Sequence, residues 1–126
     1  MANRVIATPT FERAYKRFSK KFKTLSSDLL SFNKQLLEKP KTGVSLGSGL
    51  YKARISSEDK NSGKSGGFRT ITYLVAQDAT STHIYLLTMY DKSEESTIQK
   101  DVLIKLVREL DLPKAKKSNP LTKRVK

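Results

Sequence analysis

The chain has 126 residues, a length that fits one domain able to bury a core without disulfides or a structural metal. It contains no cysteine, which excludes disulfides, thiol nucleophiles and thiolate zinc sites and fits a reducing compartment. Its 25 Lys and Arg against 12 Asp and Glu give a formal charge of +13, a field that attracts polyanions and makes nucleic acid or a ribonucleoprotein the expected partner.

The segment Arg4–Ala7 is a short apolar run that reads as a first or edge strand. Thr8 follows as an N-cap, with Pro9 at the first helical position. Phe11, Ala14, Tyr15, Phe18 and Phe22 then recur at helical spacing and form one apolar face, while Arg13, Lys16, Arg17, Lys20 and Lys21 occupy the others. The face is core, and the cations are either solvated or bind phosphate. Leu25-Ser26-Ser27-Asp28 restarts the helix with a capping residue and an early acid. Leu29, Leu30, Phe32, Leu36 and Leu37 continue the pattern until Lys39-Pro40 ends it. Two helices so closely joined form a hairpin, and an antiparallel pair laid across a sheet buries both apolar faces.

Residues 41–49 are rich in glycine and read as a connection. Residues 50–92 hold most of the β-formers and are expected to form three strands. In the first, alternation puts Leu50, Lys52, Arg54 and Ser56 on one face and Tyr51, Ala53 and Ile55 on the other, so that one face is basic and the other packs. The loop after it contains Gly63-Lys64-Ser65, which imitates the end of a phosphate-binding loop. Glu58 stands where that loop requires glycine, and a strand follows where a helix should open, so nucleotide hydrolysis is rejected.

The next two strands are apolar on both parities, with Ile71, Tyr73 and Val75 against Phe68 and Leu74, and Ile84 and Leu86 against Tyr85, Leu87 and Met89. That pattern is expected of strands covered on both sides. It leaves the direction of Arg69 open, but its place beside the loop puts it at the rim. Residues 77–82 form a turn, which makes the pair an antiparallel hairpin. Ser96 with Gln99 fits a capping box, and the helix after it carries Val102, Leu103, Leu106, Val107 and Leu110 and stops before Pro113. Lys114, Lys116, Lys117, Lys123, Arg124 and Lys126 follow in a segment too polar to fold alone. The expected organisation is a single domain over residues 1–112 with a basic tail over 113–126. No apolar run approaches ~18 residues. The opening residues lack the plan of a signal peptide, so the expectation is a soluble, cytoplasmic protein.

Conventional catalytic sets are missing. The single histidine, His83, sits at a strand start beside a turn, where a structural role outweighs a catalytic one. None of the acids falls into a metal-binding pattern, and no cofactor is called for. What remains is a cationic group at the strand ends, Lys52, Arg54, Lys64, Arg69 and Lys92, together with Tyr90.

The order of elements, with Gly66-Gly67-Phe68-Arg69 opening one strand and Thr88-Met89-Tyr90-Asp91-Lys92 closing the next, resembles the RelE/HigB toxins of bacterial toxin–antitoxin pairs, within the RelE/ParE superfamily. It is most similar to the HigB type, over roughly residues 7–110. The resemblance implies an α/β (α+β) domain of the microbial-ribonuclease type, with a small antiparallel sheet, an N-terminal helix hairpin and a C-terminal helix. It implies cleavage of mRNA in the ribosomal decoding site and a cognate antitoxin of the HigA type carrying a helix-turn-helix. It also implies roles. Lys52 and Arg54 match the cation pair on the strand before the loop, Arg69 matches the arginine that contacts the scissile phosphate, and Tyr90 and Lys92 fall in the closing motif. Where some relatives have a further arginine, this chain has Ser93. Lys16, Lys20, Lys60 and Lys64 are the expected additional RNA contacts.

Attack by a 2′-hydroxyl requires that the hydroxyl be deprotonated, the phosphorane's charge neutralised and the 5′-oxygen protonated. Arg54 and Arg69 suit the second task, because a guanidinium grips phosphate through two donors and stays charged. Neighbouring cations disfavour a protonated lysine, which makes Lys52 the candidate base. The acid is either Lys92 or Tyr90, unless Tyr90 stacks on a nucleobase or packs in the core. Two alternatives remain from other classes: a basic RNA- or ribosome-binding module without chemistry, and a gyrase poison of the same superfamily.

Overall fold

In the computed structural model, which describes residues 3–56, 67–91 and 98–110, five strands form one sheet. They are β1 (Arg4–Ala7), β2 (Val44–Gly47), β3 (Leu50–Ile55), β4 (Phe68–Ala76) and β5 (Thr82–Asp91), in the order β1-β5-β4-β3-β2. Three helices accompany them: α1 (Pro9–Ser19), α2 (Leu25–Glu38) and α3 (Lys100–Arg108). The mixed α/β class and the two helices ahead of the main strands agree with the sequence reading. The sheet is mixed rather than wholly antiparallel, because β1 lies parallel to β5 at its edge while the other three pairings are antiparallel.

Local chemistry explains where most elements begin. Thr8 has an extended backbone and its hydroxyl accepts from the Phe11 N–H at 3.3 Å, so α1 starts where the Thr-Pro pair predicts. The start of α2 differs from expectation. Thr24 occupies the cap position without a side-chain cap, its hydroxyl donating to the Asp28 carboxylate at 2.9 Å, and Ser27 donates back to the Thr24 carbonyl instead of capping. The start of α3 also differs: Gln99 is its cap residue and makes no side-chain cap bond, so the expected capping box does not set it, and Ser96 lies outside the described residues.

Residues 44–47, read from sequence as connection, form β2. It is an edge strand that ends in Gly47, and a glycine in a strand often marks a bulge such as the one beside it. Gly43, at φ +102°, allows the chain to run close against β3, since a Cβ there would strike the Lys52 carbonyl.

The sheet buries both faces, as the double apolar parity of β4 and β5 implies. Phe11, Phe18, Leu25, Phe32 and Leu36 from α1 and α2 pack on Ala53, Ile55, Phe68, Ile84, Leu86 and Met89. On the opposite side Leu103 of α3, with Leu106, Val107 and Leu110 partly buried beside it, packs on Leu50, Ile71, Leu87 and Tyr90. Two bulges feed this second core. In β2 the register shifts so that Leu46 has no opposite residue, and in β5 Ile71 faces Thr88 while Thr72 faces Leu86, leaving Leu87 unmatched. Both leucines turn into the core beneath α3. The Thr8 hydroxyl spans the second bulge, 2.8 Å from the Leu86 carbonyl and 3.1 Å from that of Leu87. One residue thus caps α1 and holds β5 at its irregular point.

Candidate nucleic-acid interface

The β3–β4–β5 register aligns the residues that sequence singled out. Arg54 lies directly opposite Arg69, and Arg69 directly opposite Tyr90, so the three form one row across three strands on the α3 side of the sheet. Lys52 occupies the next same-face position of β3, opposite Ile71, about 6.8 Å along the strand from Arg54. Arg54 is exposed, whereas Lys52 and Arg69 are half-buried.

Neighbouring residues on the other side fix this placement. Phe68 is fully buried, its ring 4.7 Å from that of Phe18 and 5.3 Å from that of Phe22, and this aromatic anchor turns the adjacent Arg69 to the opposite face. Gly67, at φ +92°, precedes it because a Cβ there would collide with the Ile55 carbonyl. The glycine of the Gly-Gly-Phe-Arg motif therefore lets β4 begin hard against the end of β3. Thr70, also fully buried, donates from its hydroxyl to the Thr88 carbonyl at 2.7 Å and ties β4 to β5 beside the row.

The electrostatics of the row run against simple stability. Like charges directly opposed on one face of a sheet are destabilising by about 0.2–1 kcal/mol, and Arg54 and Arg69 are so opposed. One guanidinium nitrogen of Arg69, Nη1, is buried without a hydrogen-bond partner among the described residues. A buried unsatisfied donor costs about 1–3 kcal/mol. A phosphodiester accepts from guanidinium donors in pairs, and its charge offsets the repulsion between neighbouring cations.

Tyr90 has the right register position but is 3% exposed and packs with Leu50, Ile71, Leu87 and Leu103, so in this conformation it serves the core that sequence weighed as its alternative role. Lys16 and Lys20 are exposed on and just beyond α1, which covers the opposite face, so the sheet separates them from Lys52, Arg54 and Arg69. The reason is topological: Phe11 and Phe18 commit α1 to the far side. The last turn of α1 nonetheless reaches the same end of the sheet through the Phe18–Phe68 contact, and Arg17 and Lys21 lie over the rings of Phe18 and Phe22, at 4.2 and 5.7 Å. Lys60, Lys64 and Lys92 lie outside the described residues.

Sequence reasoning missed Lys100 and Leu46. Together with Leu50, Lys52, Ile71 and Leu103 they line a cleft of about 180 Å³ next to the cationic row. Neither carried a signal, because Leu46 sat in a presumed connection and Lys100 was one lysine among many. A larger hollow of about 360 Å³ opens between β1, the start of α1 and the end of α3, and includes neither Arg54 nor Arg69. Among the described residues no group of His, Asp and Glu side chains is arranged to hold a metal ion, and no helix is long and apolar enough to cross a membrane.

The family model described as the RelE toxin of the RelE/RelB toxin–antitoxin system matches residues 4–119. The chain belongs to the RelE toxin family. A mutant of the E. coli toxin RelE in the free state has a similar structure, with a TM-score of 0.53 and 18% identity, the match covering 87% of this chain and 99% of that one. No curated protein matches the chain. Membership makes the protein the toxin half of a toxin–antitoxin pair, with an antitoxin as its partner. In this RelE-family chain the cationic row crosses the sheet on the side that α3 only partly covers.

Proposed function

We propose that the protein is a ribosome-dependent endoribonuclease of the HigB type, which cuts translated mRNA in the cytoplasm and thereby stops translation until a HigA-like antitoxin carrying a helix-turn-helix covers the site. The observation that carries this reading is the register pairing of Arg54 with Arg69, which sets two permanent cations side by side with Lys52 one step away. Such a pair suits a single phosphodiester. In the scheme, Arg54 and Arg69 hold the scissile phosphate and offset the charge that develops on it. Lys52 takes the proton of the attacking 2′-hydroxyl, and Lys92 or Tyr90 returns one to the leaving 5′-oxygen. Lys60 and Lys64 extend the contact to flanking phosphates, and Lys16 and Lys20 meet ribosomal RNA around the end of the sheet. No step uses a metal.

Primer extension across a message translated in a reconstituted system tests the proposal. Cuts are expected only when ribosomes are present, and Arg69→Ala is expected to lower cutting at least about 100-fold, the loss seen when one donor to a developing charge is removed, while the unfolding midpoint holds or rises, because a buried unsatisfied donor is removed with the side chain. Uncut messages at every enzyme concentration would overturn it. The burial of Tyr90 favours a second reading, a basic RNA-binding module without chemistry, because a phenol 3% exposed is poorly placed to donate a proton. That reading predicts that Arg69→Ala weakens ribosome binding and that no cleavage appears. DNA breaks with intact mRNA would instead point to gyrase.

A further inference from the structure

The cleft beside Lys52 does not belong to the phosphate row, yet it opens on the same face. Its floor is aliphatic, with Leu50 from β3, Ile71 from β4, Leu103 from α3 and the bulged Leu46 from β2. Lys52 and Lys100 lie on its wall from opposite sides, one on a strand and one at the first residue of α3. We propose that this cleft is a nucleobase subsite, which takes the base of a nucleotide belonging to the RNA strand whose phosphate rests on Arg54 and Arg69. The proposal rests on the RNA reading above and adds a second element of recognition to it.

The composition of the cleft selects this ligand. An aliphatic ligand would leave the Lys100 ammonium without a function, and a bare anion would leave the leucine floor without one. A nucleobase has apolar faces and an edge of carbonyl and ring-nitrogen acceptors, and an ammonium group offers three donors and no acceptor. Single-stranded RNA is recognised in this way, with bases splayed from the backbone into pockets while the phosphates are gripped separately. The spacing agrees. Lys52 with Ile71, and Arg54 with Arg69, are successive same-face rungs of the β3–β4 ladder, about 6.8 Å apart, which is the reach of one nucleotide from its phosphate to its base. The volume of about 180 Å³ admits one heterocycle.

The test uses the full-length protein and a short, fluorescently labelled 2′-O-methyl RNA, which cannot be cut, compared by anisotropy with versions that each lack one base. One abasic position is expected to weaken binding about tenfold, the equivalent of about 1.4 kcal/mol, with its neighbours changing much less. Leu46→Trp, which fills the cleft from an exposed edge strand, is expected to reduce the intact RNA to the affinity of that abasic version and to erase the difference between them. Lys100→Ala, at the exposed start of α3, is a second variant whose fold is not at risk and is expected to shrink the difference several-fold. A flat abasic scan with Arg69→Ala still weakening binding overturns the subsite and leaves the RNA reading standing. If the RNA does not bind, or binds equally well to Arg69→Ala, the subsite falls, while the ribosome-dependent reading still stands or falls by primer extension.

Discussion

One face of the sheet is sealed by Phe11, Phe18, Leu25, Phe32 and Leu36 from two helices, whereas the other lies under the nine-residue α3, with Lys52, Arg54 and Arg69 at its margin. The first face is rich in aromatic contacts, and its Phe18, Phe22 and Phe68 rings meet at the end of the sheet where the cations stand. The second carries two opposed arginines and a buried unsatisfied guanidinium nitrogen. The difference teaches a division of labour. Burial on the α1–α2 side supplies the stability that lets the α3 side hold like charges together, and strain of this kind persists where the surrounding structure over-determines it.

The largest effect should come from the sealed face. Phe68→Ala is expected to lower stability by about 3–5 kcal/mol and Leu103→Ala, under the thinner cover, by about 2 kcal/mol. Urea unfolding measures both, and equal losses would erase the distinction between the faces. Thr8→Ala should cost about 1–2 kcal/mol, at the upper end for a lost cap, because its hydroxyl also spans the Leu86 and Leu87 carbonyls. Thr8→Ser should recover most of that, and a cost no larger than an ordinary cap would show that the bulge holds itself. On the cationic face the expectation reverses. Arg54→Ala should change stability by less than about 0.5 kcal/mol, while RNA affinity falls and its salt dependence loses a slope of about one, as for one phosphate contact.

The smallest effect lies in the β4–β5 turn, far from either core. Asp78 is fully exposed, and its carboxyl is held below the usual value of 3.8 chiefly by the Thr80 N–H and by the Ser81 hydroxyl. A carboxylate whose folded value is lowered adds stability that is present above the ordinary value and lost as pH falls through the folded one. Asp78→Ala should therefore be slightly less stable than the parent at neutral pH, and the two should converge as pH drops below 3.8. A gap that persisted in acid would assign the effect to the backbone of the turn.

Much of this was legible in advance. The Thr-Pro helix start, the aromatic stripe of α1, the basic parity of β3 and the double apolar parity of β4 and β5 all follow from side-chain periodicity and cap chemistry, which act within a few residues. The pairing of Arg54 with Arg69 did not, because nothing local states which residues of two strands face each other. β2 escaped notice because its pairing with β3 outweighs a glycine-rich composition at the edge. Lys16 and Lys20 looked equivalent to the strand cations as charges, and only the choice of face by α1 set them apart.

What the amino-acid order determined by itself is every element but β2, the buried sides of the helices and a strongly cationic surface, since each depends on composition and short-range period. What only the tertiary structure decided is the membership of the row. Regular alternation from Tyr85 and Leu87 would send Tyr90 to the α1–α2 side. The unmatched Leu87, held at the Thr8 hydroxyl, shifts the phase by one residue and brings Tyr90 beside Arg69. A one-residue slip reverses every side chain beyond it, and a bulge is visible only when the partner strand is in place.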